Sequence, residues 1–223
     1  DYNAVQAIVP EELYPAVDPT SLAGPIVSLV GSHPEMAGIR QYLAPSSAPS
    51  ADTFAELPGR LIQVLNEPLL LRLLELCVVA DTEWERLITL ARRLILHALA
   101  NSRSGDSPPP PDLLVALAHQ CFATEYIYDE SAEERAHLGA LEQSLASRLE
   151  AGESVPAHQY ALYACYRPLS RICRQDNAMR LAIAMPPLAP VLRLQVLEPS
   201  VETELRQSMP KPGAPSDRTS KQV

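Results

Sequence analysis

Apolar positions change their rhythm near residue 52, and that change sets the elements the chain predicts. Before it, Pro10, Pro15, Pro19, Pro25, Pro34, Pro45 and Pro49 recur too closely for a long helix. Short helices are expected there around Gly24 to Val30 and Pro34 to Tyr42, with Ala44 to Ala51 as a linker. From Asp52 the apolar residues fall at three- and four-residue steps: Leu57, Leu61, Ile62 and Leu65, then Leu69, Leu70, Leu73, Leu74 and Cys77. Pro68 suits a first helical turn, so two short helices meet near Asn66.

The clearest helix begins after Asp81, whose carboxylate can accept from the free N–H groups of a first turn, and runs to about Ala100. Its apolar face reads Trp84, Leu87, Ile88, Ala91, Leu94, Ile95, Ala98 and Leu99, with Glu83 and Glu85 early and Arg92 and Arg93 later. A proline loop from Asn101 to Pro110 ends it. Another helix starts near Pro111 and carries Leu113, Leu114, Leu117, Ala118, Cys121 and Phe122 toward Tyr126. Ser131 and Glu134 have the spacing of a capping box for a helix ending near Ala151, where Gly152 stops it. Pro156 restarts helix through Tyr166. Beyond Pro168 the prolines Pro186, Pro187, Pro190 and Pro199 predict shorter pieces, with a last helix over Ser200 to Gln207.

These elements predict an all-α fold, an irregular bundle of about seven to nine helices with a proline-rich N-terminal section. The division expected is 1–51, a helical domain over 52–208, and a tail or linker over 209–223. No 34-residue self-similarity supports a regular repeat array within the chain.

Composition agrees with helices. Hydrophobic residues make up 47% of the 223 but aromatics only 5%, which points to Leu-Ala packing. A net charge of −9 argues against a general nucleic-acid role, because phosphate binding needs Lys and Arg. No apolar run approaches the roughly 18–20 residues of a membrane span, and no basic-then-apolar leader opens the chain. We therefore expect no membrane or nucleic-acid partner and a cytoplasmic location. The start at Asp1 reads as a fragment or processed chain. Cys77, Cys121, Cys165 and Cys173 lack C-x-x-C spacing and read as thiols inside helices rather than as a disulfide frame or zinc site.

Candidate chemistry is sparse. No two glycines lie closer than seven residues, so the glycine-rich loop that lets backbone approach a nucleotide or S-adenosylmethionine is missing from this sequence. His119 and Cys121 sit about 200° apart on a helix and cannot chelate one ion from it. No catalytic, cofactor-binding or metal-ligating residue is assigned. What remains is a polar cluster, His119, Glu125, Tyr126, Tyr128, Tyr160, Tyr163 and Tyr166, in which five of the eight tyrosines gather in two segments. Such tyrosines suit a helix junction, the reading we favour, or a binding surface. A third reading makes His119, Glu125 and Tyr126 the acid-base groups of a helical hydrolase or lyase.

Four phrases recur in one order: NEPLLLRLLELCVVADTEWERLITLARRLIL from Asn66, LLVALAHQCFATEYIYDESAEE from Leu113, YALYACYRPLS from Tyr160 and LRLQVLEPSVETELRQSMP from Leu192. In this order they resemble the helical region that precedes the catalytic domain in bacterial tetratricopeptide-repeat proteins fused to a class I SAM-dependent methyltransferase. The resemblance implies a non-catalytic accessory or connector domain that positions a protein substrate or the adjacent catalytic domain, with SAM bound only downstream. Lys211 to Pro215 departs from that pattern. The alternative is an independent helical protein-interaction module.

Overall fold

The computed structural model describes residues 19–43, 51–101 and 108–209. Most of the expected linker over Ala44 to Ala51, the tail from Pro210 and the first eighteen residues lie outside these. The described residues form ten helices and no strand, slightly more helices than expected. They are α1 (Pro19–Gly31), α2 (Pro34–Arg40), α3 (Ala51–Leu65), α4 (Pro68–Leu76), α5 (Thr82–Ala100), α6 (Pro111–Ala123), α7 (Ala132–Glu150), α8 (Ala157–Ala164), α9 (Gln175–Ala184) and α10. The last is one rod built from Ala189–Leu192, a π turn at Arg193–Leu197, and Glu198–Ser208.

Local chemistry explains the boundaries. Asp81 accepts from the Trp84 N–H at 2.9 Å and starts α5. The capping box of α7 is complete: the Ser131 N–H donates to Glu134 Oε2 at 2.8 Å and the Glu134 N–H to Ser131 Oγ at 3.1 Å. Glycine is required after α7, where Gly152 takes φ +70°.

Three helices contain an internal proline, two of them at positions expected to interrupt helix. α1 runs through Pro25 and α3 through Pro58. Pro25 is exposed, so water can satisfy the carbonyl that its ring displaces. Pro199 was expected to separate short helices, yet it lies inside α10. The π turn just before it widens the helix, with the Glu198 N–H reaching back five residues to the Arg193 carbonyl, which makes room for the ring. Two other helices end early: α6 at Ala123 rather than near Tyr126, and α8 at Ala164 rather than Tyr166.

α6 is the centre of the bundle. Leu113 through Ala118, Gln120 and Cys121 are all buried, the pattern of a helix surrounded by others. It packs on α4 and α8 and on the start of α10; α5 bridges α3 and α7; α1 lies across α4. One polar side chain bolts the C-terminal rod to this centre. Buried Gln195, from the π turn, accepts from the Leu169 N–H at 3.0 Å and donates to the carbonyls of Ala164 at 3.3 Å and Ala118 at 3.5 Å. All four cysteines are free thiols. Cys121, Cys165 and Cys173 are buried and Cys77 is half-buried.

Candidate functional site

Where α4 ends, the chain runs extended from Cys77 toward Asp81 along the flank of α6. Gln120, fully buried, holds it there: with its amide turned to suit its neighbours, the side-chain nitrogen donates to the Cys77 carbonyl at 2.8 Å and the oxygen accepts from the Val79 N–H at 3.2 Å. This bridge turns Val79 into the core and leaves Val78 52% exposed. Beside it opens a groove of about 750 Å³ lined by Leu74, Glu75, Leu76, Cys77 and Val78 on one wall, by His119, Phe122 and Ala123 of α6, by Glu125 and Tyr126, and by Leu194 of the π turn.

The far end of the groove is shaped by strained backbone. Glu125 and Tyr126 have φ of 54° and 59°, a left-handed pair of non-glycine residues. The Tyr126 N–H donates to the Cys121 carbonyl at 2.8 Å, so the turn closes α6 much as a glycine cap would. The two left-handed residues direct Tyr126 inward, edge to face with Phe122 at 6.2 Å, while Glu125 is exposed.

His119 lies among these residues with Nε2 buried and no hydrogen-bond partner. Burial lowers its pKa, opposed by the Glu75 carboxylate, the Glu75 backbone carbonyl and the Glu198 charge. The ring is therefore neutral near pH 7.

His119, Glu125 and Tyr126 are thus brought into one groove. The other four residues of the sequence-derived cluster are not there. Tyr128, Tyr160, Tyr163 and Tyr166 are buried, and two of them enclose a charge that the apolar face read from the sequence did not include. Arg92 is 1% exposed, its guanidinium carbon 4.0 Å from the Tyr166 ring centre and 5.1 Å from that of Tyr128. Its Nη2 lies 3.9 Å from Glu130, and none of its nitrogens makes a hydrogen bond. Glu130 is grasped by both terminal nitrogens of Arg167. Glu134 accepts from the Tyr166 hydroxyl at 3.0 Å and from Arg93 Nε at 3.1 Å, besides capping α7. Three arginines and two carboxylates thus tie α5, α7 and the end of α8 together.

Burial raises the pKa of each of these tyrosines. For Tyr166 the push of Glu134 adds to it and Arg92 opposes it; for Tyr163 the added push comes from Glu142. The Cys165 thiol is likewise raised by burial and by its neighbour Cys121. These groups hold their protons and face inward.

Sequence reasoning missed Arg92, Gln120 and Gln195. The signal for Arg92 was its spacing: positions 88, 92, 95 and 99 share one helical face, so a charge at 92 must enter the core. Among the described residues there is no group of three side chains placed to hold a metal, and no helix long and apolar enough to cross a membrane. Comparison with models of known families, with curated proteins and with solved structures finds no match.

Proposed function

We propose that this chain is a non-catalytic helical accessory domain that positions a protein substrate or a neighbouring SAM-dependent catalytic domain of the same protein. The observation that carries the reading is how the side chains are divided. Arg92, Glu134 and the phenols of Tyr160, Tyr163 and Tyr166 are turned inward and stiffen the bundle, whereas several apolar side chains stand exposed beside the groove. Leu76 is 47% exposed and Val78 52%, and Ile127 beyond Tyr126 is 63% exposed. Val201 and Leu205, one turn apart on α10, and Met209 just past its end are exposed as well. Apolar surface grouped in this way marks contact with another protein surface. The assignment to a methyltransferase rests on the four ordered phrases from Asn66 to Pro210.

The test has two arms. Calorimetric titration of SAM into the purified chain should give no binding heat, and measurable binding would overturn the non-catalytic reading. A reading frame that continues past Val223 into a glycine-rich cofactor loop supports the connector. A frame that stops near Val223, with a specific protein that co-purifies, supports instead an independent interaction module, the reading favoured by the exposed groove alone.

A further inference from the structure

The groove beside α4 and α6 has a definite chemical character. Its walls are mostly apolar, through Leu74, Leu76, Val78, Phe122 and Leu194, and among the described residues no lysine or arginine lines it. Its charges are carboxylates: Glu75 on one wall and exposed Glu125 on the other, with Glu198 near enough to act on His119. Arg72, one turn back on α4, pairs with Glu75 at 3.3 Å and offsets part of this charge from outside the groove. His119 also lines the groove, its Nε2 buried beneath the surface without a hydrogen-bond partner. The groove is open and continues onto exposed Val78 and Leu76, so it suits a length of polypeptide more than an enclosed small molecule.

We propose that this groove docks a short segment of another protein that carries apolar anchors and at least one lysine or arginine. The proposal rests on the docking role given above and specifies the partner's chemistry. The anchors cover Val78, Leu76 and Leu194. The basic side chain lies toward Glu75 and Glu125, where opposite charge favours it over an acidic segment.

The experiment uses the full chain and two fluorescein-labelled peptides of equal length, one of leucines and lysines at helical spacing and the other with glutamates for the lysines. Fluorescence anisotropy should show binding of the lysine peptide only. Glu75→Gln with Glu125→Gln should weaken it by about tenfold or more, whereas Glu150→Gln with Glu204→Gln, an equal charge change elsewhere, should leave it unchanged. Val78→Asp should abolish binding, and circular dichroism should show the fold intact because Val78 is half exposed.

Equal binding of the two peptides, equal loss in the groove and remote double variants, or no binding of either peptide would overturn the proposal. Binding that appears only after residues 1–18 are removed would give the groove to the chain's own N-terminal segment, and would equally overturn it. None of these outcomes touches the accessory-domain reading, which the cofactor titration decides separately.

Discussion

The guanidinium of Arg92 lies 4.0 Å from the centre of the Tyr166 ring, and the hydroxyl of that same ring donates to Glu134 at 3.0 Å. One tyrosine therefore links a buried cation on α5 to the carboxylate that caps α7. A desolvated cation over an aromatic face gains about 2 kcal/mol or more. The gain is needed, because Arg92 is fully buried without a hydrogen bond and its nearest carboxylate is 3.9 Å away.

The first expected outcome concerns this cage. Arg92→Ala leaves a large void and two carboxylates with one arginine fewer, and should cost about 3–5 kcal/mol. Arg92→Met fills most of the space without a buried charge and should cost clearly less. Denaturant unfolding of the two variants checks the ordering. Equal losses would mean that the charge, rather than the volume, carries the stability.

Glu134 supports a second expectation. It caps α7, pairs with Arg93 and accepts from Tyr166, so Glu134→Gln removes a charge from three interactions at once. Ser131→Ala removes only the other half of the capping box, at about 1 kcal/mol. Chemical unfolding should show the glutamate variant to be the more damaging by at least about another 1 kcal/mol, since hydrogen bonds to charged groups are the stronger ones.

How far these relationships could be read from sequence depends on the kind of contact. Asp81, the Ser131–Glu134 box and Gly152 act within one turn of their own positions, so spacing alone disclosed them. The all-helical class and the position of α5 followed equally from periodicity. Gln120 and Gln195 bond to backbone far along the chain, up to 77 residues away for Ala118, and nothing local distinguishes them from exposed glutamines. The groove was half legible. His119, Glu125 and Tyr126 were grouped because they are neighbours on one helix end, whereas Glu75, Val78 and Leu194 join them only through packing. The tyrosines misled in part, because shared residue type joined Tyr126 to four others that belong to the core.

Gln120 gives the third expectation. Gln120→Leu is nearly the right size for its site but leaves the Cys77 carbonyl and the Val79 N–H without their partners. Stability should fall by about 2 kcal/mol. The hydrogen exchange of the Val79 amide should accelerate far more than that of the α5 amides, because the extended segment comes loose before the bundle does. Uniform acceleration would show that the segment is held by packing instead.

The last expectation is a pH dependence. His119 has its pKa lowered in the folded chain, chiefly by burial, from an ordinary value of 6.5. Below that value the unfolded chain binds the proton more readily than the folded one, so unfolding takes up protons and stability falls as pH drops from about 6.5 through the folded pKa. Above the unfolded value the contribution is complete and flat. His158 is also lowered by burial and must add a slope of the same sign. Unfolding free energies measured between pH 5 and 7.5 should therefore show a decline toward acid that His119→Gln reduces and that His119→Gln with His158→Gln reduces further. A slope unchanged by His119→Gln would mean that the ring finds water or a carboxylate at Nε2 when protonated.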